Sequence, residues 1–333
     1  MKDFIKKNKK TIDLILQISK WVILLVFLFF AFRYIDFEEM WASLQKFSVK
    51  SIILFSIVLL ISRLLYAWRW QVIGKSVLKG KKGNLFFYFQ SNTLAEFVSI
   101  VLPTSVSGEF VRVFKLNSKG NTSAQSTAVI LIDRASGILG MVIVSIAALL
   151  LMGRKINFSI SQIIPANLIL PVILVTVAVV MIGIFIFFSL MRNVRFASRI
   201  QNGWKTIASN IPTLFISLGI SIAAHITFSL SHIFMFNEIF PLEPIELIAV
   251  ILTPQLARTI PVSVLGFSPG EGMMVASQMM AGIPREAALL ITLISLFSRY
   301  FFALVGFIIE MLTDGIGFMK KAGGSGGTEN IEQ

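Results

Sequence analysis

Long apolar runs recur along this 333-residue chain and constrain its fold more than any other feature. A helix needs about 20 apolar residues to cross a hydrocarbon core of about 30 Å. Hydrophobic residues make up 56% of the chain and charged residues 14%, whereas a soluble domain carries about 25% charged residues. The sequence therefore predicts an all-α polytopic membrane protein. Six segments are predicted to be full transmembrane helices: roughly 12–33, 50–68, 125–151, 166–191, 211–236 and 287–312.

Two further apolar stretches, about 84–117 and 245–283, are interrupted by proline, glycine and serine. Such interruptions expose backbone polar groups that lipid cannot satisfy, so they are tolerated only inside protein or beside a water-filled cavity. We interpret each stretch as a re-entrant hairpin of two half-helices. The alternative is that each stretch contains one or two complete spans.

The basic residues fit this layout if both termini are cytoplasmic. Loop charges placed inside then include Arg69 and Lys75 after the second span, and Arg112 after the first hairpin. This excess follows the positive-inside rule, so the net charge of +13 reflects topology rather than nucleic-acid binding. We expect one transmembrane domain over residues 1–321 in the cytoplasmic membrane of the cell, followed by a flexible tail over 322–333.

An internal repeat marks a candidate site in the two broken stretches. Residues 103–108 and 261–266 share the pattern P-x-S-V-x-G, and Glu109 or Glu271 follows. A span carrying a buried arginine comes next, with Arg134 in one half and Arg299 in the other. Three predicted spans separate the motifs, so the two halves would be inverted. Matching interrupted segments in inverted halves point to a transporter's binding site near the midplane.

The same motifs resemble a known family. The segment Gly108-Glu109-Phe110-Val111-Arg112, followed by Asp133-Arg134 at the start of a long span, resembles the G-E-x-x-R and E/D-R signature of the flippase-like transmembrane region of lysylphosphatidylglycerol synthases. The later segment 266–272 resembles that family's glycine-rich G-x-x-x-x-E-G segment. The resemblance extends over about 10–315 and implies a helical domain that moves a lipid between leaflets.

The resemblance implicates the matched positions of this chain in function, although the chain departs from the family pattern in three ways. Asp133 stands where glutamate is usual, Pro269 interrupts the second glycine-rich segment, and no soluble aminoacyl-transferase domain follows. The last departure implies translocation without lipid synthesis and leaves the substrate open. The residues that the resemblance implicates are Glu109, Arg112, Asp133, Arg134 and Glu271.

Ionisable residues in apolar segments define the candidate translocation site. A charge at the bilayer centre costs about 2.5–3.5 kcal/mol, so such residues should pair and face a cavity. Arg134 is expected to pair with Glu109 or Glu271, and Arg299 with the other; the alternative is purely structural salt bridges. Arginines suit a lipid phosphate, and carboxylates suit an amine or a coupling proton. The site comprises Glu109, Arg112, Asp133, Arg134, Arg258, Glu271 and Arg299.

Four other residues form a secondary set. Arg63 and Arg69 flank aromatic residues and fit either an interfacial aromatic belt or a phosphate contact. His225 and His232 share a helix face and fit either polar packing between helices or proton coupling. Glu310 is expected at the membrane interface.

The favoured function is translocation of a phospholipid, modified phospholipid or glycolipid between leaflets. No metal or cofactor is predicted, because cysteine is absent and the chain has two histidines. The expected partners are membrane lipids, with a lipid-modifying enzyme as a further candidate, and no nucleic acid. The alternatives are a permease for a small solute, a membrane-embedded enzyme acting on a lipid, and a scaffold that transports nothing. We expect no enzymatic activity, since no nucleophile constellation is found.

Overall fold

The computed structural model describes residues 37–102, 107–152, 211–259 and 268–313, and these residues form helices and no strands. The predicted spans 12–33 and 166–191, the first copy of the repeated hexapeptide except Ser107 and Gly108, the whole second copy, and the C-terminal tail lie outside the described residues. The helices are α1 (Phe37–Leu44), α2 (Val49–Val77), α3 (Leu85–Val101), α4 (Ser107–Asn117), α5 (Ser123–Met152), α6 (Ile211–Ser231), α7 (Ile233–Ile239), α8 (Pro244–Leu252), a 3-10 helix (Thr253–Thr259), α9 (Pro269–Met280) and α10 (Arg285–Thr313).

Four segments of the described part are long and apolar enough to cross a membrane: Val49–Val77, Ser123–Leu151, Pro212–Ile239 and Arg285–Thr313. They confirm four of the six predicted spans. Helix α2 is longer than the segment 50–68 predicted for it, and Arg69 and Lys75 lie within the helix. The prediction that Arg69 lies in a cytoplasmic loop is therefore wrong, because Arg69 is buried inside the bundle.

The two interrupted stretches are divided into helical pieces, as the breakers predict. The first consists of α3 and α4, which pack against each other. In the described part of the second stretch there are α8, the 3-10 helix and α9, three pieces where two were expected. Several of these pieces begin at a helix-capping residue. At the start of α3, the Asn84 side chain accepts from Phe87 N–H at 2.9 Å.

Apolar side chains face outward along α2, the reverse of the pattern in a water-soluble helix. Exposed residues recur every three or four positions and therefore follow one face of the helix. The opposite side of α2 packs mainly on α6, where the Ser62 hydroxyl donates to the Ala224 carbonyl at 3.0 Å. The exposed stripe consists of Val49, Ile53, Ile57, Ile61, Leu64 and Trp68.

Helices α3 and α10 pack at very short range because Gly306 has no side chain. A Cβ atom at Gly306 would lie 2.4 Å from the Thr93 Cβ and 2.7 Å from the Thr93 backbone carbon. Small residues allow such close approach between helices in membranes. This contact fixes the first broken stretch against the last span.

A buried ion pair joins the same broken stretch to the last span at another level. The Lys115 Nζ lies 2.9 and 3.0 Å from the two carboxylate oxygens of Glu310, and Gln90 Nε2 donates to Glu310 at 2.8 Å. Glu310 is 1% exposed, so it packs inside the bundle, three residues before the end of α10. The pairing compensates the cost of removing both charges from solvent.

Gly306→Ala is expected to destabilise the protein by about 1–3 kcal/mol, because the Thr93 backbone cannot move away from the added methyl group. Gly219→Ala is the matched control, since a Cβ there meets no atom within 4 Å. The control should be neutral or stabilising by up to about 1 kcal/mol. Thermal unfolding in detergent measures both, and equal midpoints for the two variants would contradict the close α3–α10 contact.

Candidate translocation site

A cavity of about 720 Å³ lies between α2, α3, α4, α5, α6, the 3-10 helix and α10. Its volume is within the range of about 300–1,000 Å³ found for small-molecule sites. Charged side chains form much of its wall although the surrounding helices are apolar. Among the described residues, six arginines and three carboxylates line it: Arg63, Arg69, Arg112, Arg134, Arg258, Arg299, Glu96, Glu109 and Asp133.

Asp133 of α5 is the buried centre of a first set of ion pairs. Its Oδ1 accepts from Arg69 Nε at 2.8 Å, and its Oδ2 accepts from Arg112 Nη2 at 2.6 Å. The Arg112 guanidinium also lies over the ring of Trp70, 4.2 Å from the centroid. Both arginines are buried, so Asp133 neutralises charges that would otherwise be costly at this depth.

Glu109, in the first turn of α4, extends this set to the edge of the cavity. Its carboxylate accepts from Arg112 Nη1 at 3.2 Å and pairs with Arg134 of α5. A first-turn carboxylate also interacts favourably with the helix dipole. Arg112 thus joins Glu109 to Asp133, and we call Arg69, Arg112, Arg134, Glu109 and Asp133 the Asp133 network. The Arg134 side chain is 51% exposed, so it is less buried than predicted.

Glu96 of α3 bridges a second set of cations. One oxygen lies 2.5 Å from Arg63 Nη1, and the other accepts from Arg299 Nε at 2.9 Å. Arg299 Nη1 is 3.6 Å from Glu271 Oε1, which is also 2.8 Å from Arg258 Nη2. We call these five residues the Glu96 network. It joins both broken stretches to α2 and α10.

The start of α9 fixes Glu271 in this network. Ser268 is the N-cap and Pro269 follows it, while Glu271 reaches back to accept from the Ser268 backbone N–H at 2.7 Å, which completes a capping box. Gly270 permits the approach of Arg258, because a Cβ at Gly270 would lie 2.2 Å from the Arg258 Cγ. The glycine-rich segment therefore places a carboxylate and an arginine together.

Both histidines line the cavity and make hydrogen bonds to neighbouring helices. His225 Nδ1 lies 2.9 Å from the Tyr66 hydroxyl, and its Nε2 donates to the Gly137 carbonyl at 3.0 Å. His232 Nε2 lies 2.9 Å from the Ser295 hydroxyl of α10. These contacts fit polar packing between helices. No group of three potential metal ligands occurs within the described ranges.

The structure brings together the residues that the sequence singled out. Of the predicted alternatives, Arg134 pairs with Glu109, and Arg299 approaches Glu271. Arg63 and Arg69, assigned to the secondary set, belong to the two networks. Arg69 is buried, so an interfacial belt does not describe it.

Sequence reasoning missed Glu96, which pairs with both Arg63 and Arg299. A signal was available, because Glu96 stands in an apolar broken stretch where an unpaired carboxylate is costly. Neither its partners nor its position beside the second broken stretch could be deduced from spacing. Those contacts join residues more than thirty and two hundred positions apart along the chain.

Comparison with known families identifies the chain. Residues 17–306 match the family model for the lysylphosphatidylglycerol synthase TM region. The chain belongs to this family. No curated protein matches it. Membership and the four candidate spans make the protein a multi-pass membrane protein related to lipid handling. The part that matches the lysylphosphatidylglycerol synthase TM region includes every residue of both networks.

Asp133→Asn is expected to lower stability by about 3–5 kcal/mol, because it leaves Arg69 buried without a carboxylate partner in the described part of the chain. Arg134→Gln should change stability by about 1 kcal/mol or less, since its ion pair is half exposed. Thermal unfolding of the two purified variants in the same detergent makes the comparison. A midpoint for Asp133→Asn equal to that of Arg134→Gln would show that the buried pairing is not needed.

Proposed function

We propose that this protein moves a lipid between the leaflets of the cytoplasmic membrane, with the headgroup passing through the arginine-lined cavity and the acyl chains remaining in the bilayer. The observation that carries the proposal is the position of Arg134. Its side chain lines the polar cavity and also lies on an outward, apolar face of α5.

The face of α5 that includes Arg134 is suited to lipid. Leu131 and Ile138 lie three residues before and four residues after Arg134, so all three share one side of the helix. Leu131 is 42% exposed and Ile138 is 40% exposed, and Ile138 also lines the cavity. Apolar and charged groups therefore meet at one edge. A headgroup could enter there while its chains remain against Leu131.

The two broken stretches support the same function. We propose that both are re-entrant hairpins and that they form the two halves of an inverted repeat, with the chain termini in the cytoplasm. Each contributes a carboxylate near the start of a helix, Glu109 on α4 and Glu271 on α9, and each carboxylate contacts two arginines. Such paired elements at a central cavity are typical of transporters that use alternating access.

A lipid transporter needs these charges for transfer as well as for folding, whereas a scaffold needs them for folding alone. Glu109→Gln and Arg134→Ala should slow the transfer of headgroup-labelled phospholipid between leaflets of reconstituted vesicles about tenfold or more, because each removes a charged hydrogen-bond partner at the cavity edge. The assay measures protection of the label from a membrane-impermeant quencher.

Lys75→Gln is the matched control, since Lys75 is exposed on α2 and does not line the cavity. It should transfer lipid at the wild-type rate. Wild-type transfer by folded Glu109→Gln and Arg134→Ala would contradict the proposed site. A wild-type protein that transfers none of a broad lipid panel, including aminoacylated and glycosylated headgroups, would favour a solute permease or a scaffold.

The proposed lateral opening makes a separate prediction, and the absence of cysteine makes it convenient to test. A fluorophore at Ile138→Cys should be quenched by nitroxide-labelled lipid, and the free thiol should react with a charged, water-soluble thiol reagent. Both are expected because Ile138 lines the cavity and is partly exposed.

Leu139→Cys is the control for this experiment. Leu139 is 56% exposed but does not line the cavity, so lipid should quench it and the water-soluble reagent should not react. If position 138 reacts with the water-soluble reagent but is not quenched by lipid, the cavity is closed to the bilayer, as a solute permease requires.

A further inference from the structure

Each of the four carboxylates of the two networks contacts two arginines. Both oxygens of Asp133 accept from arginines, and the same is true of Glu109 and Glu96. Glu271 Oε1 forms an ion pair with Arg258 that lacks hydrogen-bond geometry, and its Oε2 accepts from Ser268. An ammonium ligand would therefore approach any carboxylate of the two networks against two arginine charges.

The cations are in the opposite situation. Across the described part of the chain, the two networks contain six arginines and four carboxylates, which leaves an excess of two positive charges. A guanidinium has five N–H donors. Arg134 and Arg258 each contact a carboxylate through Nη2. The cavity is thus rich in donors and positive charge.

We propose that the cavity selects a phosphate-bearing headgroup of net negative charge and rejects headgroups whose ammonium groups neutralise or reverse that charge. This inference rests on the proposed lipid translocation and names its substrate class. It replaces the expectation that a carboxylate of the site receives an amine, because two arginines already contact each of those carboxylates.

The physical basis is a balance of charge and hydrogen bonds. Phosphate oxygens accept from guanidinium groups in short, charge-assisted bonds, and Arg134 and Arg258 have further donors to offer. An ammonium group would enter a cavity with excess positive charge and would have to share each carboxylate with two arginines. Specificity then arises from repulsion of the wrong headgroup as well as attraction of the right one.

Equilibrium binding tests this selectivity separately from transfer. The full-length protein in detergent is titrated with phosphatidylglycerol, phosphatidylcholine and lysylphosphatidylglycerol, and the shift of the unfolding midpoint is measured. Phosphatidylglycerol should bind at least tenfold more tightly than the other two lipids. Arg134→Gln should weaken its binding about tenfold, since it removes charge-assisted bonds to the phosphate, whereas Lys75→Gln should leave binding unchanged.

Glycerol 3-phosphate distinguishes a lipid headgroup from a free phosphate ester. Weak competition by glycerol 3-phosphate supports a lipid ligand, whereas binding of this solute with no binding of phosphatidylglycerol overturns the proposal. Equal or tighter binding of lysylphosphatidylglycerol or phosphatidylcholine also overturns it. Selective binding of phosphatidylglycerol without transfer would uphold the selectivity and refute translocation. Transfer that prefers lysylphosphatidylglycerol would refute the selectivity and uphold translocation.

Discussion

The pairing of arginines with carboxylates inside apolar helices is the interaction on which the rest of this structure depends. Several charges lie at positions where a lone charge would cost several kcal/mol. Asp133 compensates Arg69 and Arg112, and Glu96 compensates Arg63 and Arg299. Because each carboxylate bridges two cations from different helices, the pairs also fix how α2, α3, α4, α5 and α10 lie around the cavity. Folding and the proposed function therefore use the same side chains.

The networks are unequal in charge, and this inequality favours the proposed ligand site over a purely structural set of salt bridges. A structural set needs only enough arginines to satisfy its carboxylates. Here the arginines exceed the carboxylates within the described part of the chain, and Arg134 is half exposed at an apolar edge. By contrast, the Lys115–Glu310 pair is buried and lies away from the cavity wall, as a structural pair should. The comparison within one molecule supports a binding role for the two networks.

Much of this arrangement could be predicted from sequence because membranes impose simple rules. Apolar length predicts the four described spans, and the cost of intramembrane charge singles out Glu109, Asp133, Arg134 and Arg299. Helix ends are less predictable. Helix α2 continues well beyond its purely apolar segment, so Arg69 lies in the helix and not in the predicted loop. The pairing of Glu96 and that of Glu310 could not be predicted, because their partners are distant in sequence and are brought near only by packing, including the close contact at Gly306.

In the proposed mechanism, the arginine-lined cavity holds a lipid headgroup while the lipid's chains stay outside the bundle. The most direct measurement is an electron cryo-microscopy structure in nanodiscs containing phosphatidylglycerol, with a bound antibody fragment to aid alignment. We expect a phosphate within hydrogen-bond distance of Arg134 and acyl-chain density running outward past Leu131 and Ile138. A cavity sealed from the bilayer by protein, with lipid density only on the outer surface, would contradict it.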